Sequence, residues 1–592
     1  MSSVQGKTTG RRIRTVRSFV SIAPLFAAAA AASAQIQFTD VTDAAGAAFS
    51  HQPRPLGVPG LNEWTMGGVC VADFNGDGWP DLYALKGGQG SDRFLINNGN
   101  GTFSDRTVQA GLSAQHCGVG ATVGDYDRDG DLDIYVTSYG NSNNNQGEIG
   151  KNILWRNNGD ATFVNVAVAA GVHVTSSTAS AGNGGSWGDF DLDGDLDLAV
   201  SAWSQAAAGN RLFRNNGNGT FTDITNVKIV MPTLTWGFQT SMIDVDGDRY
   251  PELLWAADFQ TSRLYRNNRD GSFTEVTAQA GVGIDAFGMG QCAGDFDNDG
   301  DIDWYVTSIF SDQPNNPSLH NGNAYYRNNG NGTFVEISEE NGTVDGGWGW
   351  ASVAGDFDND GDLDIIAMNG RNAAEWADEP EYFFVNNGDG TFTRDLAISN
   401  QFFAKDGRTV VTTDYDRDGD LDVVMYYNFG PLKLYRNDSV APAGTVRNWF
   451  AIDIDEGSNP YVAPNGYGVR AVVRAGKRQY VRVLDGGNGY LGSSELFLHF
   501  GIADATQVDS VTLEWPRGQT TVHGPFAANQ RVVLTAPQLG DIDADGSIGS
   551  ADLAILLGAW GPVDPFARAI DLDDDGTVGS SDLAILLGAW SK

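Results

Sequence analysis

Cysteine, histidine and positive charge are what this 592-residue chain has least of: three Cys, six His, and 37 Lys and Arg against 75 Asp and Glu. Cys70, Cys117 and Cys292 form no C-x-x-C and cannot all pair, which excludes a disulfide framework. Cys70 and Cys292 each stand three residues before an acidic loop, as buried small residues of repeated units, with a disulfide or reactive thiol as the alternative. His51, His116, His173, His320, His499 and His523 are scattered without zinc-ligand spacing. The formal charge of −38 argues against nucleic acid and anionic membranes as partners. No stretch after residue 34 is long and apolar enough to cross a bilayer, so no transmembrane segment is expected.

Residues 1–34 read as an export signal, and secretion follows. Lys7, Arg11, Arg12, Arg14 and Arg17 precede an apolar run from Phe19 to Ala32 and a small-residue site, Ala32-Ser33-Ala34. Arg11-Arg12 fits twin-arginine export poorly, and the general secretory route is preferred. Removing the signal takes away five cations and no acid, which deepens the negative charge. Hydrophobic residues at 41% can build packed interiors, and 76 glycines signal many tight turns.

One nonapeptide pattern recurs seven times: acid, any residue, Asp or Asn, any residue, Asp, three residues, acid. The sets are Asp73-Asn75-Asp77-Asp81, Asp125-Asp127-Asp129-Asp133, Asp189-Asp191-Asp193-Asp197 and Asp244-Asp246-Asp248-Glu252. Asp295-Asp297-Asp299-Asp303, Asp356-Asp358-Asp360-Asp364 and Asp414-Asp416-Asp418-Asp422 complete them. Oxygen donors at positions 1, 3, 5 and 9 of a turning loop, with a backbone carbonyl near position 7, suit a hard cation that takes six to eight oxygens. Calcium is the expected occupant, because magnesium keeps its water shell and zinc wants His or Cys. The competing reading, Asp-rich hairpin turns and nothing more, leaves seven sets of convergent carboxylates to repel one another. Six loops carry Gly at position 6 (Gly78, Gly130, Gly194, Gly300, Gly361, Gly419); the fourth has Arg249 and is the weakest candidate.

A small-residue strand leads into each loop, an apolar strand leads out, and two short strands follow around an Asn-Gly turn, as in Leu212 to Phe221. Four strands per unit of 51 to 64 residues describe a propeller blade. The seventh unit ends at Leu434 to Asn437 without its fourth strand, while the chain begins with an orphan one, Phe38 to Thr42. The fold class is therefore mainly β: a seven-bladed propeller over 35–445, closed by its N-terminal strand.

These repeats resemble the FG-GAP (VCBS) repeats of integrin α-chains and of many secreted bacterial proteins. The resemblance implies structural calcium hairpins on one face and ligand contacts on the other, where the longer connections Gly140 to Gly150, Ser311 to Asn323 and Gly370 to Glu381 lie. Trp236, Phe287 and Trp348 each stand eight residues before a loop, either as an aromatic rim for a glycan or protein partner or as packing between blades.

After Ser439 to Thr445 the pattern stops. Residues 448–536, with Asn465-Gly466-Tyr467-Gly468-Val469-Arg470-Ala471, Gly486-Gly487-Asn488-Gly489-Tyr490-Leu491, Leu498-His499-Phe500-Gly501 and Val511-Thr512-Leu513-Glu514-Trp515-Pro516, resemble the ASPIC/UnbV domain of the cartilage acidic protein family. Residues 540–592 hold two twelve-residue loops with acids at 1, 3, 5 and 12 and Gly at 6: Asp541-Asp543-Asp545-Asp552 and Asp571-Asp573-Asp575-Asp582. Each leads into Leu-Ala-Ile-Leu-Leu-Gly-Ala-Trp, whose Leu, Leu and Trp at i, i+3 and i+7 make an apolar helix stripe. Position 12 is Asp rather than the EF-hand Glu, and the duplicated loop-helix resembles a dockerin. That resemblance implies a cohesin-like partner met by Ser550, Ala551, Ser580 and Ser581, although the Lys or Arg usual in dockerin helices is absent.

Gly184-Gly185-Ser186-Trp187-Gly188 fits a nucleophile elbow in letters only, since it lies on a strand before an acidic loop. Asn100-Gly101-Thr102, Asn218-Gly219-Thr220 and Asn331-Gly332-Thr333 are better read as hairpin turns than as glycosylation sites. No catalytic set stands out. The expectation is a secreted, non-catalytic binding or adhesion scaffold with about nine calcium sites, its propeller face meeting a protein or glycan and its tail attaching it elsewhere. The alternative is a dockerin-bearing carbohydrate-active enzyme, a polysaccharide lyase or hydrolase.

Overall fold

The computed structural model describes residues 36–592 except 54–64, 139–150, 175–181, 204–208, 233, 312–321, 372–375, 378, 443, 487, 591 and 592. The expected export signal and the Gly140 to Gly150 connection lie outside the described residues, as does most of the Ser311 to Asn323 connection.

Each repeat folds back on its acidic loop. Strand Gly349–Gly355 enters, the loop turns, and Asp364–Asn369 returns antiparallel, with Gly355 opposite Asp364 and Ala354 opposite Ile365. Tyr382–Asn386 and Phe392–Arg394 then add on the outer side. Among the described residues, seven antiparallel sheets are built in this order from the repeat region. In the last, Phe38–Asp40 supplies the outer strand by pairing with Leu432–Asn437, Phe38 opposite Asn437.

Small residues lead into the loops because the first strands pack side by side. Val69–Ala72 touches Gly118–Gly124, which touches Gly185–Gly188, then Trp236–Ile243. The Gln239 side-chain amide donates to the Gln291 carbonyl (3.3 Å) and accepts from the Gln291 N–H (2.8 Å), and the chain of contacts runs on through Gly349–Gly355 and Gly407–Thr413 back to Val69–Ala72. The antiparallel order places every acidic loop and every Asn-Gly turn at one end of its sheet.

Residues 448–536 form a three-stranded sheet centred on Asn448–Asp455 and a four-stranded sheet containing Arg470–Ala475 and Ser510–Glu514. Phe450, Val473, Phe500 and Trp515 fill the space between them. The sequence places this module after the repeats, yet it also reaches into them. Its finger, Asn488–Gly489 and Gly492–Ser493, pairs alongside Val69 and Cys70 and extends the first sheet to six strands. Tyr490 and Leu491 at the tip are buried among the first strands, where the Tyr490 ring lies 5.5 Å from Phe238 and 6.0 Å from Trp350. Glycine brackets the tip because a Cβ at Gly489 or Gly492 would strike the backbone of Val410 or Val69.

In the tail, helices Ser550–Gly558 and Ser580–Ala589 share a small core with Ile542, Ile548, Leu556, Leu572, Val578 and Leu586. The expected apolar stripe outruns both helices, and Trp590 stands one residue beyond its helix end at Ala589. The first stops at Gly558, so Trp560 falls beyond it and is 52% exposed, whereas Trp590 packs on the core.

Candidate metal centres

The acidic loops are wound around their own carboxylates. In the sixth, Asp356 accepts from the backbone N–H of Asp360 (3.0 Å) and Gly361 (2.8 Å), Asp360 accepts from Asp362 N–H, and Asp364 accepts from Asn386 N–H (2.8 Å). The first, second and third repeat this register. Position 9 is buried in all seven loops, position 3 is half-buried, and position 5 runs from exposed at Asp77, Asp129, Asp299 and Asp418 to buried at Asp248. Carboxylate oxygens converge within 4.8 Å in the sets Asp125-Asp127-Asp133, Asp189-Asp191-Asp197, Asp244-Asp246-Asp248, Asp295-Asp297-Asp299 and Asp356-Asp358-Asp360.

Two observations test whether these sets suit a cation. Asp127, Asp191, Asp295, Asp364, Asp414 and Asp416 each keep a buried carboxylate oxygen with no hydrogen-bond partner, a costly arrangement for protein alone. Burial, reinforced by neighbouring carboxylates, pushes Asp81 and Asp303 up to about 8, Asp133 to about 9 and Asp125 to about 7, and holds Asp197, Glu252, Asp364 and Asp422 well above the ordinary carboxylate value. A divalent ion bound by positions 1, 3, 5 and 9 would answer both.

The tail loops share the position-1 geometry: Asp541 accepts from Asp545 and Gly546 N–H, and Asp571 from Asp575 and Gly576 N–H. Position 12 ties loop to helix, with Asp552 accepting from Ile542 and Gly549 N–H (both 2.7 Å) and Asp582 from Leu572 and Gly579 N–H. Ser550, Ala551, Ser580 and Ser581 are all exposed.

Sequence reasoning missed a set of seven asparagines at the ends of the third strands. Each donates its backbone N–H to the position-9 acid of its own loop and its side-chain amide to the position-2 carbonyl of the preceding repeat's loop. Asn157 thus joins Asp133 and Phe74, Asn215 joins Asp197 and Tyr126, and Asn386 joins Asp364 and Phe296. Asn267, Asn328 and Asn437 do the same, and Asn97 links the first repeat to Tyr415 of the seventh (2.8 Å). The signal was an Asn recurring in all seven repeats, read only as part of a turn.

The loop end is covered by the 448–536 module. Arg470 donates to the Gly300 carbonyl (2.9 Å), Arg482 to that of Gly361 (3.3 Å), and His499 Nε2 lies 2.9 Å from that of Gly419. A Cβ at Gly419, whose φ is +94°, would overlap the Trp449 indole. Arg249, the departure in the fourth loop, takes a φ of +76° and keeps the loop's bond to Asp244 through its N–H (2.7 Å). Its guanidinium reaches the carbonyls of Trp515 (2.7 Å) and Gln519 (3.0 Å), which gives the substitution a docking role. The tail is fastened here as well: Arg517 donates to the Asp571 carbonyl (2.8 Å), and Arg568 bonds Asp574 and the Asp191 carbonyl of the third loop.

At the other end the aromatic positions divide. Phe287 and Trp348 line a cavity of about 290 Å³ with Trp203, Phe259, Asp258 and Arg371. Trp236 stands behind it, its ring 4.7 Å from that of Trp203. Cys70, Cys117 and Cys292 are buried and form no disulfide, and Ser186 lies on a strand, its hydroxyl bonded to that of Thr240 (2.8 Å). Among the described residues no helix is long and apolar enough to cross a membrane.

Residues 73–136, 189–255, 244–306 and 314–367 match the FG-GAP-like repeat model, and residues 459–540 match the ASPIC and UnbV model. Cartilage acidic protein 1 is similar over most of the chain: 24% identical for the Mus musculus protein (70% of this chain, 73% of that one) and 24% for the Homo sapiens protein (70% and 71%). A solved rhamnogalacturonan lyase of Bacillus licheniformis aligns at 14% identity and a TM-score of 0.36, over 68% of this chain and 75% of that one. The chain thus carries FG-GAP-like repeats and an ASPIC and UnbV segment and is homologous to cartilage acidic protein 1.

Proposed function

We propose that this protein is a secreted, non-catalytic scaffold: a closed seven-bladed propeller braced by calcium, whose open end binds a protein or glycan and whose dockerin-like tail attaches to a further partner. The observation that carries the reading is the set of convergent, buried carboxylate oxygens without a hydrogen-bond partner in the repeat loops. Asp, Asn and Glu oxygens, with no His or Cys among them, favour calcium over zinc. The ion would act structurally, neutralising the loops that the Asn clasps and the second module hold together. Extracellular placement is supported by the export-type N-terminus and by the cartilage acidic protein homology.

The test is calcium titration of the chelator-treated chain, followed by thermal unfolding and by incubation with a polysaccharide panel in calcium. Several structural sites, a calcium-raised melting temperature and unaltered polysaccharides are expected. New reducing ends or unsaturated products would overturn the non-catalytic reading.

A further inference from the structure

The cavity away from the loops combines features that together select a ligand class. Three rings frame its mouth: Phe259, 50% exposed, lies 5.9 Å from Phe287 and 6.4 Å from Trp203. Phe259 is held out on a turn in which it and Gln260 both have positive φ, 55° and 59°, a conformation non-glycine residues rarely adopt. Trp348 also lines the cavity, as do the buried Phe238 and Trp350, which the Tyr490 finger backs.

Two charged groups complete the lining. Asp258 accepts from the Trp203 indole N–H (3.0 Å) and the Phe259 backbone N–H (3.0 Å), which fixes its carboxylate and leaves further acceptor capacity. Arg371 lies over the Trp348 ring at 4.4 Å. A cationic ligand would meet Arg371, and an anion would meet Asp258 and the strongly acidic chain. A wholly apolar ligand would desolvate both groups without replacing their water. A neutral polyhydroxylated ring avoids all three penalties: its C–H face packs on the aromatics, one hydroxyl donates to Asp258 and another accepts from Arg371.

We propose that this cavity binds one pyranose ring of a neutral glycan, with Trp348 and Phe259 as stacking platforms and Asp258 and Arg371 as hydroxyl partners. The proposal rests on the reading of this end as the ligand-binding one and narrows it to a class.

The experiment is calorimetry of the full chain in calcium with methyl glycosides of glucose, galactose, mannose and N-acetylglucosamine and with their β-linked disaccharides, alongside a proline-rich peptide. At least one sugar should bind saturably, with about tenfold or greater weakening in both Trp348→Ala and Asp258→Asn. The calcium-bound melt of each variant is the folding control: Asp258→Asn keeps one of the two N–H bonds and should still unfold cooperatively. Absence of sugar binding, unchanged binding in both variants, or binding of the peptide alone would each overturn the proposal. Failure here with a calcium-dependent melt intact leaves the scaffold reading standing; loss of that dependence would remove the scaffold reading whatever the sugars do.

Discussion

The two ends of the repeat array are built from different chemistry. At the loop end, carboxylates converge, asparagines tie each repeat to the one before, and the 448–536 module covers the loops through Arg249, Arg470, Arg482 and His499. At the other end no such cap is seen among the described residues, and aromatic rings stand half-exposed around a cavity. Both ends rest on the same finger, because Tyr490 enters from the capped side and backs the cavity of the open one. Charge thus closes one end, and apolar surface stays available at the other.

The largest expected effect comes from removing what the two ends share. Tyr490→Ala should cost about 3–5 kcal/mol in chemical denaturation, because a fully buried aromatic leaves a cavity between the first strands. Tyr490→Phe, which loses the bond to the Thr65 carbonyl but keeps the ring, should cost about 1 kcal/mol. Equal effects would show that the finger holds by its hydroxyl rather than by filling space.

A clasp is next. Asn437→Ala removes donors to the carbonyls of Phe357 and Leu421 and should cost about 1–3 kcal/mol, read as a lowered denaturation midpoint. Gly419→Ala, at positive φ beneath Trp449, should cost a similar amount by strain and overlap. If it also frees the second module to proteolysis while leaving the repeats intact, the cap is separable from the array.

How much of this could be read from the chain depends on how local each feature is. Acidic loops are local, since carboxylates two residues apart on a turning chain are brought near one another, and the spacing placed all seven between the first two strands of a sheet. The orphan strand Phe38–Asp40 was legible because the seventh unit lacked one. Asn437 and its six equivalents were visible as letters but not as clasps, because each one's second partner lies in another repeat. Arg249 was visible as an exception, yet its reason, the Trp515 carbonyl, is 266 residues away. Tyr490-Leu491 was visible only as part of the ASPIC/UnbV-like motif, and only the packed first strands make it a plug.

Smaller effects sharpen the docking of the second module and the tail. Arg249→Gly restores the usual loop residue while losing the cross-module bonds, so the two changes should nearly cancel, leaving about 1 kcal/mol of destabilisation. Trp560→Ser, beyond the helix end and half-exposed, should fall within about 0.5 kcal/mol by thermal unfolding. A larger loss would show that Trp560 packs after all.

The central claim is that the loop carboxylates need an ion. Without one, acids such as Asp81, Asp133 and Asp303, raised from 3.8 to about 8, 9 and 8, favour the protonated fold. Their contribution is full below the ordinary carboxylate value and is lost as pH rises through 8 to 9. Calcium binds the ionised form, so its stabilisation grows over the same range. The decisive measurement is the melting temperature of the full chain at pH 5 and pH 8, in calcium and in EDTA. The expected result is an EDTA melt that falls between pH 5 and pH 8 and a gap to the calcium melt that widens. Melts that coincide with and without EDTA at pH 8 would contradict it.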